Sequence, residues 1–182
     1  MFSGKGCHRL GGIMLTGWQR TWIRILTTLL TVVMMIVIFC FSMENAEQSD
    51  QRSGVYANII ISVTHPEYEQ LKPEEQQKIY DDTSLIIRKL AHFAEYALLG
   101  CLLRLCLESW FGHLLPSVRT LSLVSIMAGA FYAVTDELHQ LQTDGRSGQF
   151  TDVLVDSCGV ISGVVLGALL IGHTWKEKKN GG

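Results

Sequence analysis

The sequence predicts an all-α polytopic membrane protein: a bundle of four transmembrane helices with an extracellular helical loop between helices one and two. Nineteen consecutive residues, Ile25 to Met43, carry no charge. At about 1.5 Å per residue they span roughly 29 Å, the hydrocarbon thickness of a bilayer. A second run of sixteen, "TLSLVSIMAGAFYAVT" from Thr120 to Thr135, is equally uncharged. Over all 182 residues only 18% are charged and the mean hydropathy is +0.24, against about 25% charged residues in an average soluble domain. In lipid the backbone has to satisfy its own hydrogen bonds, which makes helix the state of every such segment.

The first span is placed at about 23–43, behind Arg20 and Arg24. It is longer than the apolar core of a signal peptide and no small-x-small cleavage site follows, so it reads as a retained helix. Residues 44–85 form the polar, acid-rich extracellular loop. Within it Pro73, Glu74 and Glu75 suit the first turn of a helix that can run on through Lys89 into the next apolar segment. The short apolar piece "GVYANIIISV" suits either the membrane surface or a packed neighbour. The second span, about 86–107, is interrupted by Arg88, Lys89, His92, Glu95 and Arg104. The third and fourth are placed at about 119–140 and 152–173. Short connections make helices two, three and four antiparallel neighbours. The whole chain, 1–182, reads as a single domain.

A net charge of -2 with no basic stripe excludes nucleic acid as a partner. Five cysteines without a CxxC pair read as small buried hydrophobes rather than a disulfide framework. Nine of the fifteen Lys and Arg residues fall on the side of the chain ends and six on the other, which puts both termini in the cytoplasm.

With that orientation, "VTDELHQ" at the end of helix three reaches the outer surface together with ionisable residues of two other helices. His92 and Glu95 lie near the outer end of helix two, and Asp152 and Asp156 at the outer start of helix four. Their helical stripes agree. Lys89, His92 and Tyr96 share one, with Glu95 beside it. Gly129, Tyr132, Asp136 and His139 or Gln140 share another, and Asp152, Asp156, Gly159, Gly163 and Gly167 a third. Glycines four apart allow close helix approach, so that third face packs inward and carries its carboxylates into the bundle. Ionisable residues inside membrane helices are costly and usually functional. Arg88, Arg104, Glu137 and Asp144 are read instead as water-facing or loop residues.

Two chemistries fit this cluster. Imidazole and carboxylate from three helices suit a divalent metal, although no HExxH zinc motif is present. The same groups suit metal-free acid–base work, with a carboxylate orienting an imidazole. Internal charge pairing, such as Lys89 with Glu95 or Asp136, gives the same residues a structural use. Lys89, and Arg146 in the turn "DGRSG", suit an anionic group.

The series "RKLAHFAEYALLG", "TDELHQ" and "GRSGQFTDVLVDSCG" resembles the VanZ-like family of bacterial membrane proteins. The matching positions are Lys89, His92, Phe93, Glu95 and Tyr96, then Asp136, Glu137 and Gln140, then Gly145, Arg146, Asp152 and Val153. Two departures stand out: Thr143-Asp144 where a proline often precedes Gly-Arg, and Asp156 where the family often has Asn. The resemblance implies a multi-pass protein of the bacterial cell membrane that lowers susceptibility to teicoplanin, a lipid-bearing glycopeptide. On the enzymatic reading, His92, Glu95, Asp136 and Asp152 are the catalytic candidates. Lys89, Tyr96, Gln140, Arg146 and Asp156 are the substrate-binding ones, and the substrate is a lipid-linked or cell-wall molecule of the envelope. A non-catalytic binder of an envelope lipid, precursor or antibiotic is the second reading. A small proton-coupled transporter is the third, for which four helices are few unless the protein forms a homo-oligomer.

Overall fold

The computed structural model describes residues 9–10, 13–14, 16–114, 117–141 and 150–180. Five α-helices dominate: α1 (Gly17–Ser42), α2 (Ala46–Thr64), α3 (Pro73–Phe111), α4 (Val118–Gln140) and α5 (Phe150–Asn180). A 3-10 turn, Tyr68–Gln70, lies between α2 and α3. Before α1, Arg9–Leu10 (β1) and Ile13–Met14 (β2) pair antiparallel over two residues each. Four helices are long and apolar enough to cross a membrane: Gly17–Ser42, Pro73–Phe111, Val118–Gln140 and Thr151–Gly172.

The helix starts follow local chemistry. Thr16 and Gln19 form a capping box on α1, with the Gln19 amide donating to Thr16 Oγ1 at 3.3 Å. Asn45 and Gln48 do the same on α2 at 2.8 Å. Both satisfy amides that have no partner within the first helical turn. Pro73 opens α3 with Glu74 and Glu75 in the first turn, where fixed φ and negative charge both favour a helix start.

The segment 44–85 is therefore a helical hairpin. α2 runs antiparallel to the polar first part of α3 through a seam of small residues. Ser53 and Ser84 hydroxyls lie 2.6 Å apart, Ser84 Oγ donates to Asp50 Oδ1 at 3.0 Å, and Gly54 leaves room for the Tyr80 hydroxyl. Ala57 and Ile61 are buried in the same seam. The "GVYANIIISV" piece contributes to this packing while leaving Val55, Tyr56, Ile59, Ile60 and Val63 exposed.

In the bundle, α4 runs opposite to α3 and α5, as the short connections require. The most extensive contact, however, joins the parallel pair α3 and α5. Gly159 meets Phe93 and Tyr96, Gly163 meets Ala97 and Cys101, and Gly167 meets Arg104. A Cβ at Gly163 would overlap the Ala97 carbonyl oxygen. Val160, between those glycines, fits Gly100 of α3 on one side and Gly129 of α4 on the other. The buried apolar core is small: Met34, Ile38, Tyr96, Leu99, Ala133, Val160 and Val164. Many leucines, valines and phenylalanines elsewhere face outward, Leu123 and Phe131 among them, as expected where lipid supplies the apolar surroundings.

At the end of the bundle where α1 begins, polar groups staple α1 to α3. Arg24 Nε donates to the Ser109 carbonyl oxygen at 2.8 Å, in the last turn of α3, where carbonyls lack helical partners. Its guanidinium also lies over Trp110, 5.0 Å from the ring centre, and Trp110 donates to Thr28 at 3.0 Å. Arg104 corrects the water-facing expectation. It is 0% exposed, bonds Glu108 at 2.7 Å, and lays its stem along Gly167. One helical turn between Arg104 and Glu108 lets the charge be matched within α3, so it can be enclosed.

Gly163→Leu should destabilise the protein by about 1–3 kcal/mol or more, by forcing α3 and α5 apart. Gly172→Ala, where a Cβ meets open space, should be near neutral. Unfolding of the two purified variants in detergent checks this. Glu108→Ala should cost about 3–5 kcal/mol by leaving Arg104 enclosed without its partner, and the double change Arg104→Met with Glu108→Leu should cost less. The same unfolding measurement ranks them.

Candidate functional site

The parallel register of α3 and α5 makes residues 89–96 and 152–159 neighbours. Lys89 Nζ and Asp152 Oδ1 form an ion pair, with side chains 32% and 35% exposed. The pairing anticipated with Glu95 or Asp136 is not the one formed, because the adjoining parallel helix offers Asp152 at the same level. One turn deeper, His92 Nδ1 lies 3.9 Å from Asp156 Oδ1. That distance exceeds a hydrogen bond, but imidazole–carboxylate pairs in ligand-free sites are often this loose.

Helix α4 brings the third wall. Asp136 is only 3% exposed and accepts from Gln140 Nε2 at 3.1 Å. The Tyr96 hydroxyl of α3 faces Asp136. Neither that hydroxyl nor Asp136 Oδ1 meets hydrogen-bond geometry among the described residues. Ser42 at the end of α1 is buried here too, and donates to the Asp136 backbone oxygen at 3.5 Å. Tyr132 ties α4 to α1 by donating to the Met35 carbonyl oxygen at 2.7 Å.

Asp156 is 1% exposed, and the carboxyl groups of Asp136, Asp152, Glu137 and Glu95 all act on it electrostatically. Several acids in one enclosed layer repel one another when ionised, and low local dielectric strengthens that repulsion. Glu137, expected to face water, is 7% exposed. The close packing at the end of α4 encloses it along with Asp136. His139 stacks edge-on against Phe39 of α1, ring centres 4.8 Å apart.

Glu95 lies toward the other side of α3 and is acted on by Arg52 of α2 as well as by Asp136. It helps line a cavity of about 180 Å³ between the end of α1, α2 and α3, together with Arg52, Arg88 and His92. Arg52 bonds Glu44 at 2.8 Å and lies 4.1 Å from the centre of the Phe41 ring. The sequence reading did not single out Arg52. The signal available was the small-residue stripe Ser49–Ser53–Ala57, which brings α2 against α3 and sets Arg52 beside it.

The structure thus gathers Lys89, His92, Glu95, Tyr96, Asp136, Gln140, Asp152 and Asp156 at one end of the bundle. Arg146 lies outside the described residues. Among the described residues no group of three or more His, Cys, Asp or Glu has an arrangement that could hold a metal ion. The side chains themselves bring the His92 imidazole to 3.9 Å from the Asp156 carboxylate, with further carboxyl groups close by.

A double-mutant cycle of Lys89→Met and Asp152→Asn should give a coupling of about 0.2–1 kcal/mol, the range for an exposed pair. Unfolding in detergent measures it, and zero coupling would mean that the pair adds nothing to stability.

A model of the VanZ/LLP1 family matches residues 27–171, which takes in most of the first span, the second and third, nearly all of the fourth and the polar layer. No curated protein and no solved structure matches the chain.

Proposed function

The chain belongs to the VanZ/LLP1 family, and on that premise we propose that it works on a lipid-linked or cell-wall substrate of the bacterial envelope. In this reading both termini are cytoplasmic and the polar layer faces outward. His92, Glu95, Asp136 and Asp152 carry the chemistry. Lys89, Tyr96, Gln140, Asp156 and Arg146 hold the substrate. The activity lowers susceptibility to teicoplanin-type lipoglycopeptides.

The observation that carries the reading is the meeting of acids from three helices with the His92 imidazole at one end of the bundle. A bundle held by glycine packing has no structural need for buried Asp136, Glu137 and Asp156. Enclosing carboxylates costs several kcal/mol apiece before any partner offsets it. Groups retained at that cost inside a membrane usually act on something.

The test is protection of a teicoplanin-susceptible bacterial host. The wild-type chain should raise the inhibitory concentration, while Asp136→Asn and His92→Gln, at equal membrane abundance, should return it to that of the empty host. Full protection by both variants would remove the cluster from the activity. Orientation is checked by Asp144→Cys, which should react with a membrane-impermeant maleimide on intact cells. Protection from the reagent would reverse the topology.

A further inference from the structure

The cavity at the base of the α2–α3 hairpin combines charge and apolar surface. Arg52 and Arg88 supply two guanidinium groups, and Phe41, Tyr56 and Ile87 supply the apolar wall. Arg88 is half-buried, and its side chain makes no ion pair or hydrogen bond among the described residues. Arg52 gives one nitrogen to Glu44, leaving further donors of its five N–H groups for a ligand. Lys89, the neighbouring cation, is engaged by Asp152. Glu95 is the acid within the cavity wall, opposed there by two guanidinium groups.

Size narrows the ligand. A volume of about 180 Å³ is below the roughly 300 Å³ at which pockets begin to enclose a whole drug-sized molecule. It admits a head group, with the rest of the molecule left outside. The wall α3 contributes, residues 87–95, is where the helix enters its apolar segment, and exposed Ile86 and Leu90 flank it. Tyr56 lines the cavity and is more than half exposed, marking an opening.

We infer that this cavity binds the anionic head group of a membrane amphiphile, with Arg88 and Arg52 as its charge partners and its tail left in the lipid. The shared chemistry is a phosphate-like anion, which bidentate guanidinium groups fit well. This assignment rests on the proposed function, for which it supplies the substrate class. A head group in the cavity lies against His92 and Glu95, the edge of the acid layer.

The purified full-length chain in neutral detergent, titrated calorimetrically, tests it. Three probes are used: dihexanoyl phosphatidic acid, dihexanoyl phosphatidylcholine and inorganic phosphate. Saturable binding of the phosphatidic acid is expected, weakened about tenfold or more by Arg88→Gln and by Arg52→Gln. Arg88→Lys, which keeps the charge but loses the bidentate fork, should weaken binding less than Arg88→Gln does. Asp136→Asn, which tests the proposed function, should leave it intact, so the two readings fail separately. Equal binding of the choline lipid, or unchanged binding in both Gln variants, overturns the inference. Loss in Arg88→Lys as complete as in Arg88→Gln, or loss in Asp136→Asn, does so too. Inorganic phosphate binding as tightly as the lipid would make the site one for free anions and overturn the amphiphile.

Discussion

The close approach of α3 and α5 along Gly159, Gly163 and Gly167 sets the position of the polar groups at one end of the bundle. With no side chain on that face, the two backbones come near enough that the Ala97 carbonyl occupies the place of a missing Cβ at Gly163. A contact so close admits one register. In that register Lys89 lies beside Asp152 and His92 beside Asp156. Val160 then locks α4 against the same pair through Gly129, which brings Asp136 and Gln140 to the layer from the third side. The small-residue face and the charged layer are thus two parts of one arrangement: the first provides rigidity and the second uses it.

The two ends of the bundle handle buried charge differently. Where α1 begins, Arg104 is matched by Glu108 one turn away and enclosed, while Arg24 serves the last carbonyls of α3. The charge there is locally balanced and the groups tie helices together. At the other end Asp136, Glu137 and Asp156 are buried close to one another.

The hairpin of α2 with the first part of α3 adds a second side to the layer. Glu95 links the two, being acted on by Arg52 across the cavity and by Asp136 within the bundle. Glu95 thus borders both the cavity and the acids behind α3. His92 has the same double position: it lines the cavity and lies close to Asp156.

The sequence by itself determined the number of membrane helices and the crowding of ionisable residues near one set of helix ends. Hydrophobic length and the spacing of charges are properties of the chain read in one dimension, and they survive whatever the helices pack against. The glycine stripe of α5 was legible for the same reason, as was the inward turn of Asp136 and Asp156. Only the tertiary structure decided which helix fills the glycine face, that Lys89 meets Asp152 rather than Glu95 or Asp136, and that Glu137 and Arg104 are enclosed. It also turned the segment 44–85 into a hairpin that sets Arg52 beside Glu95. Each of these depends on which distant stretch of chain comes alongside and in what register. The backbone contacts of closely packed helices fix that choice, and no single segment encodes it alone.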